Sequence, residues 1–227
     1  VKTVLILHGW ASQVQRWQPL ILGLESLGFK VLLPDLPGFK KPLTRPYAIK
    51  DYSLWLKDYL KKQKITKVNL IGHSFGGQIA IHFTTHHPES VNRLVLIASA
   101  GIRNQFSLKR WLFLPIAKIG KLIIKSPFFK KLLYKTAREQ DYFKASPMMK
   151  ETLKIISRED QQQNLRRLKM KTLILWGDKD KYTPLKQAKL THNLIPQSTL
   201  QIFPGAGHNL PFVEVKTIGV LISNFCR

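Results

Sequence analysis

Six short runs rich in β-branched residues and leucine, separated by stretches with helical spacing, limit what this chain can fold into. The runs are Thr3 to Leu7, Lys30 to Pro34, Lys67 to Ile71, Arg93 to Ala98, Thr172 to Trp176 and Thr199 to Phe203. Apolar residues three or four apart mark helices over Gln18 to Leu27, Ile49 to Gln63, Gly77 to His86, Leu185 to Leu194 and Val213 to Phe225. Strands and helices in alternation predict an α/β fold, a mostly parallel sheet of about six strands with helices on both faces. Pro34, Pro37-Gly38, Pro88, Pro184 and Pro204-Gly205 punctuate it as turns.

Between Ser99 and Thr172, about 70 residues carry helix-forming runs and no convincing strand. So long a connection in a compact α/β domain is expected to be an inserted helical lid, because long structureless loops are rare. The expected organisation is a core of residues 1–101 and 171–227 interrupted by a helical cap over 102–170. Pro115, Pro127 and Pro147 should divide that cap into short helices. A length of 227 residues suits one domain with an insertion better than two independent domains.

The balance of 37 Lys and Arg against 13 Asp and Glu gives a net charge of +24. Residues Gly101 to Lys171 hold 18 of those cations and five of the carboxylates, so the excess is concentrated in the expected cap. There, Leu112, Ile116, Ile119 and Ile123 recur at helical spacing while Lys118, Lys121 and Lys125 follow their own stripe. The apolar stripe is expected to cover a cleft, with the lysines solvated. The same pattern also suits docking on an acidic protein or an anionic membrane surface, with Trp111, Phe113, Phe128 and Phe129 as apolar anchors. Nucleic acid has only charge in its favour and is not expected as a partner.

Cys226 is the one cysteine, so no intrachain disulfide is possible and a packing or surface thiol is expected. No uninterrupted apolar run reaches about 18 residues, and the first residues read as a strand rather than a signal peptide. These features predict a cytoplasmic protein, although a start at Val1 leaves room for residues upstream.

Gly72-His73-Ser74-Phe75-Gly76-Gly77 follows an apolar strand and precedes a helix, the setting in which a G-x-S-x-G turn exposes a nucleophilic serine. A serine hydroxyl needs a base within hydrogen-bond reach and a third group to fix that base's tautomer. Of the seven histidines, His208 sits in the flexible Pro204–Asn209 loop just past the last strand, where the sheet's carboxyl edge would face the serine turn. His82, His86, His87 and His192 fall on or beside helices, where solvated or packed roles are expected, and His73 is read as packing within the turn. The loop after the fifth strand offers two candidate acids, Asp178 and Asp180. An oxyanion at the serine would need two backbone N–H donors, one of them from Phe75.

Taken in order, His8-Gly9, Asp35-Leu36-Pro37-Gly38, the Ser74 turn, Trp176-Gly177-Asp178-Lys179-Asp180 and Gly207-His208 resemble the alpha/beta-hydrolase superfamily over nearly the whole chain. The resemblance implies a triad in the order serine, acid, histidine, with Asp180 as the acid by the W-G-x-x-D-x-x-x-P pattern. Asp178 would then be a loop residue and Asp35 a turn residue. The H-G-x loop implies the Trp10 amide as the second oxyanion donor, while the Trp10 indole could wall the pocket. Members of the superfamily usually have eight strands, so this chain matches a core lacking the first two.

Serine at the turn differs from the aspartate of the dehalogenase and epoxide-hydrolase branches, which leaves acyl transfer to water. The Leu7–Ser12 loop and the His73-Ser74 turn look like carboxylesterases, so a carboxylic ester hydrolase or lactonase is the leading expectation. Carrier-protein-linked acyl esterases are an alternative suggested by a basic cap. Carbon–carbon bond hydrolases of diketones are another, on the similarity of Asp35-Leu36-Pro37-Gly38-Phe39, although they usually carry asparagine where this chain has His73. A noncatalytic binding protein on the same scaffold is the contrasting class. The implied chemistry needs no metal or organic cofactor.

Overall fold

The computed structural model describes residues 2–10, 12–103 and 145–227. Strands β1 (Thr3–Leu7), β2 (Lys30–Leu32), β3 (Val68–His73), β4 (Val91–Ile97), β5 (Thr172–Gly177) and β6 (Ser198–Phe203) form one sheet in the order β2-β1-β3-β4-β5-β6, with every pairing parallel. The six strands fall where the alternating pattern places them. β2 stops at Leu32, short of Pro34, whose ring nitrogen has no proton to give a ladder.

Both faces of the sheet are covered, which explains why its strands read as continuous apolar runs. Along β1, Leu5 and Leu7 enter one core and Val4 and Ile6 the other, the period-two alternation of a strand. Helices α1 (Gln18–Ser26), α2 (Ile49–Lys62) and α3 (Phe75–His86) precede the expected cap. Within its expected span lie α4 (Pro147–Arg158) and α5 (Gln162–Arg167), and after it come α6 (Leu185–Leu194), α7 (Leu210–Val213) and α8 (Val215–Cys226). The single helix expected over Val213 to Phe225 is thus two helices meeting at Glu214. On α8, Ile218, Ile222 and Cys226 are buried at four-residue spacing, so the cysteine is a packing thiol, its pKa pushed up to about 12 by burial.

Residues 104–144, which include the amphipathic stripe from Leu112 to Lys125 and its aromatic anchors, lie outside the described residues. The described remainder of the insertion forms α4 and α5 and contains no strand. Pro147 opens α4 and Ser146 caps it by accepting from the Met149 amide. α4 is held to the core by polar contacts: Tyr47 N–H donates to Thr152 Oγ1 (2.9 Å), Ile49 N–H to Glu159 Oε1 (2.9 Å), and Gln78 Nε2 to the Ile156 carbonyl (3.1 Å).

β1 runs into β2 on one side and pairs with β3 on the other, so the sheet order reverses direction between β1 and β3. Ligand crevices in open parallel sheets form at the carboxyl ends of strands at such a switch point. There, α3 packs so closely that a Cβ on Gly76 would collide with the Leu7 carbonyl of β1. Gly76→Ala is expected to lower the unfolding free energy by about 2–3 kcal/mol, because backbone rather than a flexible side chain would have to move. Gly23, in α1 with open space at the same position, should tolerate alanine with a gain of about 0.5–1 kcal/mol. Urea unfolding midpoints of the two variants test the contrast.

Candidate active site

Ser74 stands between β3 and α3 with φ 52° and ψ −116°, a left-handed conformation that costs a non-glycine residue free energy. Hydrogen bonds hold it there. Its N–H donates to the Ile97 carbonyl (3.1 Å), and its carbonyl accepts from Ala100 N–H (2.8 Å). The turn therefore belongs to the end of β4 as much as to its own strand. The hydroxyl is left projecting at the carboxyl edge of the sheet.

Two further loops meet it. His208, in the turn between β6 and α7, places Nε2 2.9 Å from Ser74 Oγ and Nδ1 2.8 Å from Asp180 Oδ2. Asp180, in the loop after β5, is buried and accepts from the Tyr182 and Thr183 amides at Oδ1 and from the Thr183 hydroxyl at Oδ2 (2.7 Å). Burial alone would raise this carboxyl, but the hydrogen bond and charge of His208 and the Thr183 donors outweigh it and hold its pKa below the usual value. An ionised Asp180 fixes the His208 proton on Nδ1 and leaves Nε2 lone-paired toward the serine. Asp178 lies outside this line: its Oδ1 accepts from Gly205 N–H (2.8 Å) and ties the β5 and β6 loops together. Asp35 pairs with Lys40 (2.7 Å).

Phe75 is the first residue of α3, so its amide is among the helix donors without an intrahelical acceptor. Gly9 lies against the elbow, where a Cβ would come within 3.3 Å of Ser74 Cβ and 3.0 Å of His73 Nδ1. That brings the Gly9–Trp10 turn to the serine. The Trp10 indole meets Phe39 and Phe75 edge-on at 5.2 and 5.4 Å, an apolar wall beside the hydroxyl. His8 holds the turn from below, its Nδ1–H donating to the Gly9 carbonyl (2.8 Å), and burial lowers its pKa so that it stays neutral. Among the described residues no group of three or more His, Cys, Asp or Glu is placed to hold a metal ion, and no helix is long and apolar enough to cross a membrane.

The family described as serine aminopeptidase, S33, matches residues 1–214. The chain belongs to that family. Membership in the S33 serine aminopeptidase family makes it an alpha/beta hydrolase, in keeping with its sheet. Among its relatives, the 2-hydroxy-6-oxo-2,4-heptadienoate hydrolase of Pseudomonas putida is 25% identical over 246 residues, covering 98% of this chain and 88% of that protein. Lipase 1 of Psychrobacter immobilis is 25% identical over 232 residues, covering 93% and 72%. In fold, the chain resembles an esterase from Exiguobacterium antarcticum with a TM-score of 0.78 at 20% identity, covering 100% of this chain and 92% of that one.

Two residues of this S33 member bear on the site in ways its sequence did not signal. Thr183 reaches Asp180 through both its amide and its hydroxyl, and its carbonyl accepts from the Trp176 indole (2.7 Å). A hydroxyl just before Pro184, in the loop that carries Asp180, was the available hint. His73 is more than packing: its Nε2–H donates to the His208 carbonyl (3.1 Å), joining the elbow to the histidine loop. Its Nδ1 is buried without a hydrogen-bond partner among the described residues. Burial and the neighbouring His208 push its pKa down to about 3, so the ring is neutral.

That depression has a pH signature. The unfolded chain protonates His73 below about 6.5 whereas the folded one does not until about 3, so folding stability should fall as pH drops through that window. His82, pushed down to about 4 chiefly by burial, contributes in the same direction. His73→Phe should make the slope shallower between pH 6.5 and 4 without abolishing it, as read by denaturant unfolding across that range.

Proposed function

We propose that this alpha/beta hydrolase cleaves carboxylic esters or lactones through an acyl-enzyme on Ser74. The observation that carries the reading is the unbroken chain from Ser74 Oγ through both His208 nitrogens to the buried Asp180, set on a strained turn. In the proposed cycle, His208 Nε2 takes the serine proton as Oγ attacks the acyl carbon. The resulting oxyanion is held by the Phe75 and Trp10 amides. Collapse expels the alcohol, which His208 protonates, and the same nitrogen then deprotonates the water that releases the acid. Asp180 stays ionised throughout and stabilises the imidazolium. The segment 102–170 is proposed to cover the aromatic wall as a cap, since Met149 on α4 sits against Gly38 beside it. The substrate is then a small or medium acyl compound entering beneath that cap.

A second reading is cleavage of a carbon–carbon bond in a diketone, favoured by the 25% identical Pseudomonas putida hydrolase that spans 98% of this chain. The same three side chains would serve. A panel of p-nitrophenyl esters, lactones, a 2-hydroxy-6-oxo-dienoate and an aminoacyl anilide, the last suggested by the family description, separates these classes. Turnover of esters or lactones, lost by at least about 1,000-fold in Ser74→Ala and His208→Ala, is the expected result. Wild-type turnover in either variant would remove the assignment, and exclusive turnover of the dienoate would move the reaction to the second reading. Asp180→Asn should lower kcat by about 100- to 10,000-fold and Asp178→Asn far less; the reverse ranking would make Asp178 the acid.

A further inference from the structure

In an all-parallel sheet the strands begin at one edge, and the helices leading into them end there. Here that edge lies opposite Ser74, and it is basic. Lys30, Lys67 and Lys171 open or immediately precede β2, β3 and β5. Lys61, Lys62 and Lys64 close α2 and its turn, and Arg166, Arg167 and Lys169 run from the last turn of α5 toward β5. All of these are exposed, and none is in an ion pair among the described residues. The carboxylates of this edge are Glu25, in the last turn of α1, and Glu89, which faces His87 at 3.7 Å, with Asp58 one turn back from the end of α2.

Cations in the last turn of a helix offset its dipole, which accounts for Lys61, Lys62, Arg166 and Arg167. It does not account for lysines at the starts of three strands. The edge also carries two surface cavities. One, of about 280 Å³, is lined by Thr84, Thr85, Pro88, Arg167, Lys169 and Met170; the other, of about 360 Å³, by Lys171, Thr172, Gln197, Ser198, Thr199 and Phe225. The basic run Arg166–Lys171 lies between them. The Thr84 hydroxyl is buried and has no hydrogen-bond partner among the described residues. The Thr85, Thr172 and Ser198 hydroxyls donate to backbone carbonyls, so it is the ammonium and guanidinium groups beside these cavities that match the several acceptor oxygens of a phosphate.

We propose that this edge docks the protein on an anionic phospholipid surface, with the Ser74 site facing away into water. The cations are spread rather than gathered into a groove: Lys30 on β2 and Lys171 beside β5 are four strand intervals apart, about 19 Å at ~4.8 Å each. A plane of headgroups complements such a spread. Single-stranded nucleic acid is served by exposed aromatic stacking platforms; Phe225, which lines the second cavity, is half-buried with Arg93 over its ring, and no exposed Phe or Trp stands on this edge among the described residues. The proposal is independent of the reaction at Ser74.

Sedimentation with vesicles reads it without any turnover. The protein should pellet with vesicles of phosphatidylcholine containing about one-third phosphatidylglycerol at low salt, stay free with phosphatidylcholine alone, and be released by high salt, because exposed charges are screened. A variant combining Lys62→Gln, Lys67→Gln, Arg167→Gln and Lys169→Gln should partition at least about 30-fold more weakly, since each cation near such a surface contributes about fivefold. Its circular dichroism and melting temperature serve as the fold check, and the arginine counterpart at Lys62, Lys67 and Lys169 should bind like the unmodified protein. Undiminished binding by a folded glutamine variant would overturn the proposal, as would its transfer to a Lys118→Gln, Lys121→Gln, Lys125→Gln variant. So would absence of binding to the anionic vesicles, or tighter binding to a DNA oligonucleotide or to polyglutamate than to them.

Discussion

The turn from β3 into α3 brings backbone against backbone, with Gly76 seated on the Leu7 carbonyl and Ser74 held in a left-handed conformation. Nothing local would keep a serine there. Its amide and carbonyl are bound by Ile97 and Ala100, so β4 restrains it, and β4 is in turn paired with β5, whose loop delivers Asp180. The restraint thus runs through the sheet itself. A parallel sheet is well suited to this, because both of its faces are buried and its strand ends cannot move independently.

Three histidines crowd the same edge, and their environments divide their work. His8 and His73 are buried, kept neutral, and spend a ring N–H on a backbone carbonyl. His208 alone spans a carboxylate and a hydroxyl. The neutral pair orders two loops, one toward Trp10 and one toward His208, without adding charge where Asp180 and His208 interact. Low dielectric strengthens the bonds that are made and penalises any that are missing, so loosening one loop would be felt at the others.

The two edges of the sheet also differ in kind. At the carboxyl edge, loops of different lengths converge and bury their polar groups in one another; at the opposite edge, short turns leave lysine and arginine in water. A high net charge spread evenly would mean only solubility and self-repulsion. The share of it carried by the edge away from Ser74 would, with that edge docked on a surface, leave the Ser74 side sterically free.

Much of this architecture was legible in the residues alone. Periodicity located all six strands, because a doubly covered sheet needs unbroken apolar runs, and the G-x-S-x-G turn and the Gly207-His208 loop stand out by type and position. Resemblance was needed to prefer Asp180 to Asp178. Only the tertiary structure separated them by contact, since two carboxylates two residues apart differ in which neighbouring loop each meets: His208 and Thr183 for one, Gly205 for the other. The bond from His73 to the His208 carbonyl was equally invisible, because it joins residues 135 positions apart through a backbone atom that every residue possesses. Local pattern determines which segments become strands, helices and sharp turns; which polar groups satisfy one another is decided when those segments pack and exclude water.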